Sequence, residues 1–361
     1  MIDFLVIGGG VAGIAAAAHL AELGSTLLLE REDVLGFHAS GRSAAMFEED
    51  YGPAPIKALS QASRAFFETP GDGRDSYLSP RGLMLVAHQD QRAGFEADLA
   101  ELDLAEIPVA EALTRVPILS PDKVAFAAAH DTATDIDTDR LMGDWTKLLR
   151  QRGGDTRTRQ EVTALTRHGA GWRVETRSDS FEARQIVNAA GAWADVIAEM
   201  AGVRPVGIQP RRRSMAQLPA PGGHDVSGWP MLMGVHEAWY AKPQAGKLLV
   251  SPADADPVPP QDAWADDMVL AEGLARYEEM VTTPVTRLEA SWAGLRSFAP
   301  DGVPVFGQDP RQPGFWWYAG QGGYGFQSAP ASARLLHDLV TGRDPEIDRD
   351  LIAALSPERF A

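Results

Sequence analysis

The chain has 361 residues, more than a single core usually supports, which predicts two closely packed domains. Apolar residues make up 45% and charged residues 23%, the balance of an ordinary soluble globular protein, and a net charge of −17 argues against nucleic acid and anionic membranes as partners. There is no cysteine, which excludes disulfides, thiolate nucleophiles, iron–sulfur clusters, cysteine-ligated zinc and any group held through a thioether.

The N-terminus is apolar, but Asp3 stands where a signal peptide would carry positive charge, so a cytoplasmic protein without an integral membrane segment is expected. The apolar run from Phe4 to Ile7 ends in glycines, an alanine-rich segment reaches Leu23 and stops at Gly24, and a second apolar run spans Thr26 to Glu30. This is the strand–helix–strand pattern of a parallel unit. Residues 56–70, 90–115 and 140–152 read as amphipathic helices, the last ending at Gly153-Gly154. Short alternating segments follow from 157 to 187, strand-like runs from 205 to 255, and a helix over 328–340 with Gly342 as its stop. No repeat or long linker separates these parts, so the domains are expected to interleave along the chain.

Gly8-Gly9-Gly10-Val11-Ala12-Gly13 fits GxGxxG at Gly8, Gly10 and Gly13. A side chain at Gly8 would obstruct the tight turn, one at Gly10 would block a pyrophosphate, and one at Gly13 would hold the helix off the sheet. The helix start offers free N–H groups to phosphate. Glu30 falls about 20 residues on, where a carboxylate takes a ribose 2′-hydroxyl. Two further segments suit close approach to a ligand: the small, polar stretch 38–45 and the run Ile186 to Asp195, whose apolar residues give way to small ones. A third, Gly320-Gln-Gly-Gly-Tyr-Gly-Phe-Gln-Ser328, precedes the last helix with four glycines. Three separate cofactor-like segments exceed what a nicotinamide enzyme needs.

With these marks, and with Val187-Asn-Ala-Ala-Gly-Ala-Trp193 and Gly294-Leu-Arg-Ser-Phe-Ala-Pro-Asp-Gly-Val-Pro-Val-Phe-Gly307, the chain resembles the D-amino-acid oxidase/glycine oxidase superfamily of FAD-dependent oxidoreductases nearly end to end. Within it the chain is most similar to bacterial D-arginine dehydrogenases, through His38-Ala-Ser-Gly-Arg-Ser-Ala-Ala45, Ser63-Arg-Ala-Phe-Phe67, Asp135-Ile-Asp-Thr-Asp139, Arg212-Arg-Ser214 and Trp292-Ala-Gly-Leu-Arg-Ser-Phe298. The resemblance implies an α/β fold: a Rossmann-like FAD domain from about 1–45, 131–200 and 296–361, and a substrate domain on a mixed or antiparallel sheet from 46–130 and 201–295. It implies non-covalent FAD held by Gly8, Gly10, Val11, Ala12, Gly13, Glu30, Arg31, Ser40, Arg42, Ser43, Ala44, Ala45, Val162, Ala190, Gly191, Trp193, Gly322, Gly323, Tyr324, Gly325, Phe326 and Gln327, and no metal.

For the substrate, the resemblance implies Arg213 and Arg296 as carboxylate partners, a task for which guanidinium is suited. If 211–215 is a strand, Arg211 and Arg213 share a face and Arg212 points away. Tyr51 and Tyr240 match two active-site tyrosines, and Gly323 a backbone carbonyl that receives the amine. The chain departs from its relative at the side-chain pocket. Leu83 stands in place of a carboxylate and Met46 in place of a histidine, while Glu48 replaces a threonine; the arginine preference is therefore not carried over.

The implied reaction is oxidation of a D-amino acid by hydride transfer from Cα to flavin N5, then hydrolysis to a 2-oxo acid and ammonia, with an unidentified electron acceptor and no evident general base. A 2-hydroxy acid, N-methyl or cyclic amino acid substrate, a non-catalytic flavin-bearing subunit and an NAD-only dehydrogenase remain alternatives. Lys247 lies on a strand where an oxygen-promoting lysine would sit, but the expected register puts Leu248 at that place, which favours a dehydrogenase. A monomer or small homo-oligomer is expected.

Overall fold

A computed structural model describes residues 1–71 and 73–361 and shows a mixed α/β fold. Its first sheet has eight strands. Six run in the order 162–168, 171–176, 180–188, 2–7, 26–29 and 155–157; strand Phe315–Ala319 also pairs with the C-terminal end of Ser180–Asn188, and Val305–Gln308 pairs with it in turn. The pairings around Ile2–Ile7 are parallel, Phe4 opposite Thr26 on one side and Gln185 on the other. A parallel strand has both faces covered, which is why Leu5, Val6 and the flanking residues form an unbroken apolar run. On one face pack the helices Val11–Leu20, Thr138–Gln151 and Gly325–Thr341. Helix Ala54–Glu68 lies against Gly325–Thr341, with Leu59 and Phe67 in the same core as Val6 and Ile14. Residues 54–68 had been expected in the substrate domain, but Leu59, Phe67 and the rest of their buried stripe face the nucleotide-side core.

The second sheet runs in the order 290–298, 209–218, 247–251, 240–244, 231–234, 83–87, 126–130 and 105–107, and is mostly antiparallel. Its two faces have different uses. Ala216, Leu218, Leu232, Leu248 and Val250 bury one face against helix Asp267–Glu279. Leu83, Leu85, Met215, Met233, Tyr240 and Leu249 occupy the other. A small third sheet, 46–47, 134–136 and 78–80, sits between.

Three expectations change. The helix read over 90–115 is two, Arg92–Glu101 and Val109–Arg115, separated by the strand Ala105–Ile107. Asp103 takes a positive φ of 51° and Pro108 precedes the second helix, so the chain turns twice where periodicity alone suggested continuity. The strand Ala290–Phe298 belongs whole to the second sheet, across the division placed at 295/296. Leu248 faces the far core, and its neighbour Leu249 faces the cleft. Elsewhere the breaks fall as read: Gly342 ends the helix Gly325–Thr341 in the left-handed region at φ 66°.

Candidate active site

A cleft lined by residues of the two large sheets begins at the glycine turn. Gly8 has φ +111°, and a Cβ there would lie 2.3 Å from the Ala189 carbonyl oxygen. A Cβ on Gly13 would come within 1.8 Å of the Gly8 oxygen. Both positions are closed by the protein itself. Gly10 differs: its Cβ would meet only Ser40 Oγ, at 3.2 Å, and the space beyond is open cleft. The first helical amide, of Val11, donates to Ser40 Oγ at 2.9 Å. Glu30 accepts from the amides of Gly9 at 2.7 Å and Glu32 at 2.9 Å, so its carboxylate is fixed at the cleft wall. An open backbone turn at a helix start, with a held carboxylate beside it, is a donor set that fits a dinucleotide.

Of the residues expected at the cofactor, Gly8, Gly10, Val11, Ala12, Glu30, Arg31, Ser40, Arg42, Ser43, Ala44, Ala45, Val162, Ala190, Gly191, Trp193, Gly322, Gly323, Gly325, Phe326 and Gln327 line this cleft. Gly13 and Tyr324 do not: Gly13 sits under the turn, and the Tyr324 ring leans on Tyr51 with centroids 5.2 Å apart. The Arg42 guanidinium donates to the carbonyls of Ala263 and Ala293 at 2.9 Å and pairs with Asp262, while Trp292 Nε1 donates to the Arg42 carbonyl at 3.1 Å. Arg42 thus ties the cofactor-side loop to the second sheet. Lys242 Nζ does the same from strand Tyr240–Gln244, donating to the Ala45 carbonyl at 3.2 Å and pairing with Asp135 at 3.0 Å. Burial pushes the Lys242 ammonium below its usual pKa against the pull of Asp135. Lys247 lies outside the cleft on Glu289. Two residues not expected at the cofactor also line the cleft: His38, whose ring meets Trp193 at 4.7 Å and which opens the polar stretch 38–45, and Gly36, two residues before that stretch.

Strand pairing assembles the arginine-bearing end of the cleft. Arg296 lies opposite Arg211, Gly294 opposite Arg213, and Trp292 opposite Met215. Directly paired residues share a face, so Arg296, Arg213, Met215 and Trp292 stand on one side, and Tyr240, Leu83 and Leu249 reach the same side through their own pairings. Arg212 points away, onto Asp254 and Asp256. Arg211 is exposed and donates to the Ala255 carbonyl. The glycine run closes on this face: the Gly322 amide donates to the Ser297 carbonyl at 2.8 Å, and a Cβ on Gly323 would lie 3.1 Å from the Arg296 guanidinium carbon. A side chain at Gly323 would crowd that guanidinium.

One residue was not foreseen. Glu237 Oε1 lies 2.7 Å from Arg213 Nη1 and 3.8 Å from Arg296 Nη1, and Glu237 Oε2 accepts from the Tyr51 hydroxyl at 3.1 Å. Burial works to raise the Glu237 carboxyl, but the two guanidinium charges and the hydrogen bonds from Arg213 and Tyr51 outweigh it and hold its pKa below the usual value. Burial raises the Tyr51 phenol well above its normal range, so it stays protonated and can donate. His236 and Glu237 both have positive φ, 58° and 52°, which is uncommon outside glycine and marks a backbone held in place by its surroundings. The sequence signal available was a carboxylate three residues before Tyr240.

Leu83 and Met46 pack in the apolar cluster beside Tyr51 and Tyr240, and Met46 lines the cleft. Glu48 turns away from the cleft toward His130. Gln327 secures this loop: its Oε1 accepts from the Glu48 amide and its Nε2 donates to the Tyr51 carbonyl. Among the described residues, no group of histidines and carboxylates could hold a metal ion, and no helix is long and apolar enough to cross a membrane.

Residues 3–339 match the family of FAD dependent oxidoreductases. A curated relative, a glycine oxidase from Pseudomonas putida, is 26% identical over 95% of this chain and 96% of its own. An L-2-hydroxyglutarate dehydrogenase from Escherichia coli is 27% identical over 57% of this chain and 51% of its own. Among solved structures, glycine oxidase from Geobacillus kaustophilus superposes with a TM-score of 0.83 at 22% identity, covering 98% of this chain and 97% of that one.

Proposed function

The chain belongs to the FAD-dependent oxidoreductase family and has FAD as its cofactor; from that premise we propose that it oxidises the Cα–N bond of a D-amino acid. The observation that carries this reading is the convergence of Arg213 and Arg296 on one sheet face beside Gly323, at the inner end of the cofactor cleft. Bound FAD supplies the two-electron acceptor for the Cα hydride.

The chain's own residues do the rest. Arg213 and Arg296 take the substrate carboxylate and fix the orientation of Cα. Tyr51 and Tyr240 contribute phenols without adding charge, and the Gly323 carbonyl accepts from the amine. The site holds Glu237 as a carboxylate already seated on the two arginines, so an incoming carboxylate exchanges with it. No side chain in the cleft is assigned as a general base; an amine that sheds its proton on binding suffices. Hydrolysis of the imine product then gives a 2-oxo acid and ammonia. Leu83, Met46 and Met215 favour a neutral, apolar substrate side chain.

A 2-hydroxy acid is the second reading, because an arginine pair serves any carboxylate and the Escherichia coli relative is an L-2-hydroxyglutarate dehydrogenase. Anaerobic addition of D-amino acids, L-amino acids and 2-hydroxy acids to the yellow protein separates the two. Bleaching by apolar D-amino acids is the expected result; bleaching by 2-hydroxy acids alone refutes it. Admission of air to the bleached protein then tests for an oxidase. Slow return of colour is expected, because Lys247 is outside the cleft and Lys242 is held by Asp135.

A further inference from the structure

We propose that His130 is a specificity-determining residue: it engages the Glu48 carboxylate at the wall of the side-chain pocket and withholds it from a cationic substrate side chain. The inference rests on the D-amino-acid reading above. His130 ends the strand Phe126–His130 directly opposite Leu83, so it stands on the same face of the second sheet as Leu83, Leu85 and Tyr240. Its Nε2 lies 3.2 Å from Glu48 Oε2, with side-chain exposures of 13% and 12%. Its Nδ1 lies 2.9 Å from Thr132 Oγ1, which fixes the ring from the other side.

The main chain of Glu48 is tied to cleft residues. It lies two residues after Met46, its amide donates to Gln327 Oε1 at 3.2 Å, and its carbonyl accepts from the Tyr51 amide at 3.3 Å. Its side chain does not line the cleft and reaches His130 instead. Glu48 Oε1 takes the Asp50 amide at 3.2 Å, whereas Oε2 is buried with no well-aligned donor, so its compensation is the charge of the imidazole. Burial disfavours that charge, but Glu48, helped by Asp103 and Asp131, outweighs burial and raises the imidazole pKa. With the imidazole charged, the pair is neutral as a unit. A guanidinium or ammonium entering between Met46 and Leu83 meets no free carboxylate and lies near a cation, and a buried unpaired charge is costly.

The test is the ratio of kcat/KM for D-lysine to that for D-leucine in the FAD-loaded enzyme. His130→Leu leaves Glu48 as an uncompensated acceptor at the pocket, and the ratio should rise at least about tenfold, mainly through KM for D-lysine, as charged pairs at a binding site allow. Adding Glu48→Gln to His130→Leu should return the ratio to the wild-type value, which a packing defect would not do. His130→Gln, which keeps an amide near Glu48 but no charge, should give an intermediate ratio and serves if His130→Leu does not fold. A wild-type ratio in a folded, FAD-loaded His130 variant refutes the inference, as does a raised ratio that survives in the double variant. A wild-type flavin that no D-amino acid reduces refutes instead the reading on which the inference rests.

Discussion

Glu237→Gln removes one charge from the substrate end of the cleft and almost nothing else. In the free protein that carboxylate is 2.7 Å from Arg213, 3.8 Å from Arg296 and hydrogen-bonded to Tyr51, so it occupies the groups that a substrate carboxylate needs. At an effective dielectric constant near 20, opposite charges about 4 Å apart attract by about 4 kcal/mol. With 28% of the Glu237 side chain exposed, screening and the hydrogen bonds that glutamine keeps reduce the net loss to roughly 1.5–3 kcal/mol. A ligand carboxylate that no longer competes with Glu237 should bind about 10- to 100-fold more tightly. Acetate is a suitable probe, because it has a carboxylate and no amine; its dissociation constant is read from the flavin absorbance. Tighter acetate binding to Glu237→Gln is the expected outcome. If acetate binds Glu237→Gln no better, exchange at the arginine pair is wrong. If the variant also loses affinity for D-leucine, Glu237 is a partner of the amine and not a competitor of the carboxylate.

Arg296→Ala should lower kcat/KM by about 30-fold or more, because removing one member of a buried charge pair costs about 2–5 kcal/mol, while FAD content stays normal; unchanged kinetics would dismiss Arg296 as a carboxylate partner. Acid precipitation should release all the flavin to the supernatant, since the chain has no cysteine for a thioether; flavin retained in the pellet would contradict this. Gly10→Ala should yield a folded but colourless protein, whereas Gly13→Ala, whose Cβ would sit 1.8 Å from a carbonyl oxygen, should fail to fold; circular dichroism and the flavin spectrum distinguish the two outcomes. Burial on the helix Val11–Leu20, with Arg152 and His337 nearby, lowers the His19 pKa to about 4. The unfolded chain then binds the extra proton first, so stability should fall as pH drops from about 6.5 to about 4, by on the order of 1–3 kcal/mol. Urea titrations of the wild type and His19→Gln check it, and the same pH slope in both would exclude His19.

The nucleotide end was legible because its constraint is local. Gly8 takes a φ of +111°, Gly13 lies against Gly8 one turn back, and Glu30 follows at a spacing set by one helix and one strand. The substrate end was legible only through resemblance. Arg213 and Arg296 meet because two strands 83 residues apart in sequence adopt one register out of several, and a slip of one residue would part them. That sensitivity explains the miss at Leu248: the run Leu-Leu-Val from 248 to 250 carries no sign of which face meets the cleft. Glu237 was hidden for a different reason. Its place depends on two successive residues at positive φ without glycine, a conformation that composition does not announce. The long helix expected over 90–115 failed where Asp103 turned the chain against its periodicity.

The division of labour between the two faces of the second sheet bears on how such an enzyme changes its diet. Alternate residues of the same strands serve different masters: Leu248 and Val250 hold the far core together, while Leu249, Met215 and Tyr240 look toward the substrate. A substitution on the cleft side need not disturb the packing that keeps the sheet folded, and a substitution on the far side need not touch the ligand. Strand pairing places Arg213 and Arg296, and cleft-side positions around them can change without disturbing that pairing. One scaffold can thereby drift from one acid to another by single steps, each of them viable.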